Sequence, residues 1–284
     1  MAYSTKIDWC DSSWSPVTGC LHGCEYCYAR GIAERFGGYD ASTLVNNAAY
    51  MYSKSLDKAE IIETWEDVSF QRWSKKDKSG GPAKDAKLIR APYPFGFKPT
   101  LHRELLTVPQ KWKKPRTIFV CSMADLFGNW VPDQWIIEVL EACRAAPWHR
   151  YLFLTKNPLR YDALEEADYI TDKDMNFWLG STTTDIMRDF LHFNKVLHTF
   201  QSCEPMLKPW PPAGEPNRRF EGEWPEWVIF GAETGNRKEK VIPEKAWVDN
   251  AVKMCRNIGA KVFMKESLRE IMGDDFLQEF PWEV

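Results

Sequence analysis

The sequence of 284 residues has no run approaching the ~18 consecutive apolar residues that a membrane helix needs. Its first eleven residues show no basic stretch followed by an apolar one, so no secretory signal is expected, and a cytoplasmic location with reduced thiols follows. Internal repeats and low-complexity tracts are absent, which excludes a solenoid or a fibrous chain. Histidine is scarce, with five residues, and His102, His149, His192 and His198 show no ligand spacing. No pairwise cysteine framework of the secreted kind is present: Cys20, Cys24 and Cys27 cluster, whereas Cys10, Cys121, Cys143, Cys203 and Cys255 are scattered. The spacing of the cysteines, rather than their number, therefore decides their role.

The composition is that of a packed globular protein, with 44% hydrophobic and 14% aromatic residues. Net charge is −3, but it is unevenly spread. Between Arg72 and Arg116 stand thirteen Lys and Arg against only Asp77, Asp85 and Glu104. A local basic region of this kind can meet a nucleic acid or another anionic partner, and equally it can be a solvated loop and helix face.

Short runs rich in β-branched and aromatic residues alternate with helical patterns. Strands are expected at Trp14–Thr18, Phe95–Leu101, Thr117–Cys121, Tyr151–Thr155, Phe177–Ser181, Thr199–Cys203, Trp227–Gly231 and Lys261–Lys265. Apolar residues at helical spacing predict helices over Asp133–Ala146, behind Pro132, and over Pro243–Ile258, ended by Gly259. This alternation predicts an α/β fold with parallel strands, a full or partial (β/α) TIM-type barrel filling a single domain over 1–284. Residues 40–94 read as an insertion between the first two strands, with a helix over Lys58–Trp73, and the Pro-rich stretch 208–224 reads as a surface loop. Polar residues fall where strands stop: Ser122 and Asp125, Lys156, Ser181 and Thr183, Glu204, Glu233 and Lys265. In a parallel barrel such positions gather at one mouth.

After the first strand the chain reads Gly19-Cys20-Leu21-His22-Gly23-Cys24-Glu25-Tyr26-Cys27-Tyr28. Three thiolates at Cys-x3-Cys-x2-Cys can take three corners of a 4Fe-4S cubane and leave the fourth iron open. The alternative is a zinc site from the same cysteines with His22, Cys10 or a distant ligand, although the second Cys pair of most zinc sites is missing.

With its aromatic residue before the last cysteine, this motif resembles that of the radical S-adenosylmethionine (SAM) enzymes. Further blocks, Trp9–Cys20, Ile118–Phe127, Leu154–Pro158, Ser202–Pro205 and Gly231–Gly235, are similar to a phage- and prophage-associated radical SAM-like family of unassigned function, a phage protein of the DUF type. The Tyr26-Cys27-Tyr28 run is more distantly similar to spore photoproduct lyase. The resemblance implies a radical SAM barrel in which Cys20, Cys24 and Cys27 ligate a 4Fe-4S cluster. It further implies that the reduced cluster cleaves SAM to a 5′-deoxyadenosyl radical, which takes hydrogen from a nucleic acid, nucleotide or peptide. By the same resemblance Tyr26 lies beside the adenine, and Ser122, Lys156 and Ser181 help hold SAM. Glu204 and Glu233 suit ribose hydroxyls, a substrate amine or a cationic partner such as Lys265, and equally a salt bridge at the barrel mouth; Cys121 is a candidate hydrogen donor, and Tyr28 is a second candidate catalytic residue. The electron donor implied is a reductant protein of the flavodoxin or ferredoxin type. The Gly-Gly-Glu element of many such enzymes is missing; the corresponding stretch is Lys98–Glu104. A competing reading is a nucleic-acid-binding protein whose zinc or iron-sulfur site is structural.

Overall fold

The computed structural model describes residues 5–37, 50–54, 60–64, 71–184, 197–209, 224–234 and 237–283. The chain divides into two compact units, Met1–Ser13 with Lys114–Val120 and Pro147–Val284, and Trp14–Lys113 with Cys121–Ala146.

The first unit is built on a seven-stranded parallel sheet, curled as a half-barrel and compatible with part of a TIM-type barrel. Its strands lie side by side in chain order: β1 (Ser12–Trp14), β8 (Thr117–Val120), β9 (Arg150–Thr155), β10 (Phe177–Thr183), β11 (His198–Cys203), β12 (Trp227–Phe230) and β13 (Lys261–Met264). Six of these seven coincide with expected strands to within two residues at each end. Their sequences are near-continuous apolar runs because both faces are covered. On one face Trp9, Phe119, Leu152, Trp178, Phe200, Trp227 and Phe263 form an aromatic-rich core. Gly180 makes room there, since a Cβ at that position would sit 2.3 Å from the Phe200 ring. On the other face Val228, Phe230, Val262 and Met264 pack against Val248, Ala251 and Cys255 of helix α5 (Lys245–Asn257). Removing side chains of this size from water contributes roughly 1.5–3 kcal/mol each. Helix α4 (Leu159–Glu166) is a further crossover element that the sequence pattern does not announce.

The second unit holds a four-stranded sheet in the order β2 (Val17–Thr18), β7 (Thr100–Leu101), β4 (Glu60–Thr64) and β3 (Tyr50–Lys54). A two-stranded ribbon of β5 (Gln71–Trp73) and β6 (Leu88–Arg90) accompanies it. Its helices are α1 (Tyr28–Phe36), α2 (Val108–Lys111) and α3 (Asp133–Arg144); α3 matches its expected span to within two residues.

Three expectations are corrected. The helix over Lys58–Trp73 is not formed: 60–64 and 71–73 are strands, while 58–59 and 65–70 lie outside the described residues. Ile61, Ile62 and Thr64 are β-branched, and pairing with β3 and β7 outweighs the helical spacing. Of Phe95–Leu101 only Thr100–Leu101 is a strand, and it belongs to the smaller sheet. Gly96 at φ 65° and Pro99 turn the preceding residues. Trp14–Thr18 splits at Ser15-Pro16 into β1 and β2, which serve different sheets. Within the stretches read as insertion and surface loop, 40–49 and 210–223 also lie outside the described residues. Among those described, no helix is long and apolar enough to cross a membrane.

Candidate functional site

The three clustered cysteines stand in the second unit, on the loop from β2 into α1. Gly19 starts that loop by bonding its N–H to Met123 O at 2.9 Å, at φ 88°. A side chain would not fit there: a Cβ would lie 2.3 Å from Lys98 O and 2.7 Å from Pro99 N. The loop then closes on itself, with the Cys27 N–H donating to Cys24 O at 3.2 Å. Cys27 is the N-cap of α1, where its sulfur accepts the Arg30 N–H at 3.4 Å. The first turn of the helix thus directs a backbone N–H at a sulfur atom.

Two side-chain contacts brace the loop. His22 Nε2 lies 2.7 Å from Asp125 Oδ2, and Asp125 Oδ1 accepts the Phe127 N–H at 3.1 Å. The His22 ring also meets Trp130 edge-on, with centroids 4.8 Å apart. Considered as a metal ligand on spacing, His22 instead has its Nε2 committed to a carboxylate. Asp125 does what a turn-capping Asp does and orients the loop as well.

The thiol of Cys20 is pushed up to about 12, chiefly by burial; the His22 N–H opposes this, and Asp125, Cys24 and Cys27 add to it. Burial therefore favours the neutral thiol at Cys20, and a cation bound there would offset that cost. Among the described residues no three His, Cys, Asp or Glu side chains stand together as ligands of one metal ion. Cys20, Cys24 and Cys27 nevertheless share one short loop, and three thiolates, each on its own iron, are the number and type of donor that three corners of a cubane take.

Around the loop lie further candidates in the same unit. Tyr26 is half-buried; Tyr28 is 54% exposed, and its hydroxyl donates to Ser122 O at 3.0 Å. Ser122 Oγ and Ser15 Oγ are 3.5 Å apart. Cys121 directly follows β8 at φ 58°, in the left-handed region that costs a non-glycine residue roughly 1–2 kcal/mol. It is 2% exposed, and burial pushes its thiol up to about 12, so it stays as S–H at neutral pH.

The remaining candidates belong to the first unit, at the C-terminal ends of its strands. Strand alternation separates them by face. Ser181, with Thr155, Thr183 and Gln201, shares the face of Cys203, which packs toward α5. Ser181 Oγ, Thr183 Oγ1 and the Gln201 amide are buried there without a hydrogen-bond partner. Ser202 and Glu204 continue the aromatic face of Phe200, and Lys265 that of Phe263. Lys265 Nζ donates to Glu204, and Ser202 Oγ lies 3.4 Å from Glu204 Oε2. Lys156 is half-buried just beyond β9, inside a turn in which Thr155 Oγ1 accepts the Asn157 N–H at 2.9 Å. Glu233 is 5% exposed and accepts two bonds from Arg237, each 2.6 Å; these hold its carboxyl below the ordinary value. Both glutamates are thus engaged within the protein, the arrangement read from sequence as a salt-bridge alternative. The contribution of Arg237 had no signal in the strand pattern, because it lies beyond the strand end.

A family profile described as "Protein of unknown function (DUF5131)" matches residues 4–269. The chain belongs to this family. No curated protein and no solved structure matches it.

Proposed function

We propose that this DUF5131 protein is a radical SAM enzyme, with Cys20, Cys24 and Cys27 as ligands of a 4Fe-4S cluster. The observation that carries the reading is the gathering of Cys20, Cys24 and Cys27 on one short loop, braced at Gly19 and by the His22–Asp125 pair. When bound, such a cluster supplies the electron that cleaves SAM to the 5′-deoxyadenosyl radical, the species that takes hydrogen from a substrate.

The chain's own residues do the rest. Gly19, Cys27 and the His22–Asp125 pair hold the loop in shape, and the Tyr28 hydroxyl ties the first turn of α1 to Ser122. Tyr26 is assigned to the adenine and Ser122 to the polar atoms of SAM, both within the second unit. In the first unit Lys156 is half-buried just beyond β9, whereas the Ser181 hydroxyl lies on the buried face of the sheet that packs toward α5. The Cys121 thiol is kept as S–H, the form a hydrogen donor needs.

Anaerobic reconstitution tests this. About four irons and four sulfides per chain are expected, and 5′-deoxyadenosine should form on adding SAM and dithionite. Replacing all three cysteines by serine should abolish both. Stoichiometric binding of a single zinc ion without SAM cleavage would overturn the reading.

A further inference from the structure

The parallel sheet has a second edge that the proposed function does not use. At the N-terminal starts of its strands, within the first unit, lies a cavity of about 490 Å³. That volume falls in the range of roughly 300–1,000 Å³ found for small-molecule sites. Successive strand starts build its wall: Thr117 opens β8, Arg150 opens β9, Trp178 is the second residue of β10 and His198 opens β11.

The wall is rigid and aromatic. Trp178 stacks on His198 at 4.5 Å and 12°, and Trp282 meets Trp178 edge-on at 5.3 Å. The Arg150 guanidinium lies over the Trp282 ring, 4.1 Å from its centroid. Two apolar side chains at the rim remain open to solvent, Trp148 at 40% and Met175 at 54% exposure.

The charges of the cavity are not balanced pair by pair. Glu226 is engaged by His198 Nδ1 at 3.0 Å, and Asp11 Oδ2 accepts the Thr117 N–H at 2.7 Å. Arg150 bonds only a hydroxyl, Thr117 Oγ1 at 3.1 Å, and among the described residues no carboxylate stands within ion-pair distance of it. Burial pulls its guanidinium below the ordinary value, with the charge of Asp11 partly offsetting this. A partly desolvated cation of this kind is stabilised by an anion placed beside it. Arg116, whose Nη1 donates to Ser12 Oγ at 2.8 Å, lines the same wall.

We propose that this cavity is a binding site for a nucleoside monophosphate, with the phosphate on Arg150 and Arg116 and the base against Trp148 and Met175. Calorimetric titration of the full-length protein with GMP, guanosine and inorganic phosphate tests it. GMP should bind at least about tenfold more tightly than either fragment, and Arg150→Met, folded as judged by circular dichroism, should weaken GMP about tenfold or more. Trp148→Ala, at the exposed rim, should weaken it about threefold or more. Saturating SAM should leave GMP affinity unchanged, whether or not SAM is cleaved, since the cavity shares no residue with the cysteine loop.

GMP binding no tighter than phosphate would overturn the proposal, as would displacement of GMP by SAM. So would a folded Arg150→Met protein of undiminished affinity. Should that variant fail to fold, unchanged GMP binding by Trp148→Ala decides against the site.

Discussion

The cysteine loop and the N-terminal edge of the parallel sheet are both candidate binding regions, and they are built in opposite ways. The loop draws its donors from eight consecutive residues, Cys20 to Cys27, and asks of the fold only a turn at Gly19 and a brace at Asp125. The cavity draws on Thr117, Arg150, Trp178, His198 and Trp282, which come together only because four strands begin at one edge of a sheet and the C-terminal stretch returns to it. A local motif survives as a pattern in the sequence; a dispersed one exists only in the folded chain. The loop should therefore fail through single backbone positions, whereas the sheet should lose stability gradually.

The sharpest way to break this contrast is at Gly19. Gly19→Ala forces a Cβ against the backbone at Lys98 and Pro99, which cannot swing aside, and about 3 kcal/mol or more should be lost in urea unfolding. Reconstituted iron should fall with it. Gly23, at φ 72° with nothing within 4 Å of its Cβ position, is the control on the same loop. Gly23→Ala meets only the left-handed backbone penalty and should cost about 1 kcal/mol. Equal losses at the two positions would show that crowding at Gly19 is not what shapes the loop.

At the C-terminal edge of the sheet, Glu233→Gln removes a buried carboxylate that accepts both Arg237 bonds and the Val241 N–H. A loss of roughly 1.5–3 kcal/mol is expected by chemical denaturation, in the range for hydrogen bonds to charged groups. An unchanged midpoint would show that Arg237 finds another partner.

The smallest effect is expected where α5 meets β13. Glu279 accepts bonds from Arg256 and from the Val262 N–H; the Arg256 bonds are the main cause holding its carboxyl below the ordinary value. A depressed folded value means that this stabilisation is present above the ordinary carboxylate range and is lost as pH falls through the folded value. Unfolding free energy measured from pH 7 down to pH 3 should therefore drop less steeply in Glu279→Gln than in wild type. The difference should be no more than about 1 kcal/mol, because Arg256 is 43% exposed and solvent screens the pair. Identical acid limbs would remove Glu279 from the account.

Much of the large sheet was legible because strands covered on both faces leave continuous runs such as Trp227–Phe230 and Phe177–Leu179. The failed helix over Lys58–Trp73 shows the limit: Glu60–Thr64 has an apolar content that suits either element, and only its pairing with Tyr50–Lys54 and Thr100–Leu101 selects the strand. Of the candidate site residues, the three cysteines were legible as a contiguous pattern. Ser181 was legible as a strand-end hydroxyl but not as a buried one, since its face depends on the register with Thr155 and Gln201.

By itself, then, the sequence determined the cysteine loop, the parallel order of the strands and the apolar faces that they bury, because each is written in neighbouring residues at period two or 3.6. Tertiary structure alone decided that Glu204 meets Lys265, that Glu233 meets Arg237, and that the Arg150 guanidinium faces a cavity where, among the described residues, it has no ion-pair partner. Those outcomes depend on which strand lies next to which and on where loops return: Asp11 and Glu226 line the same cavity as Arg150, yet among the described residues neither reaches ion-pair distance of it. Electrostatic pairing acts through a few ångströms of space rather than along the chain.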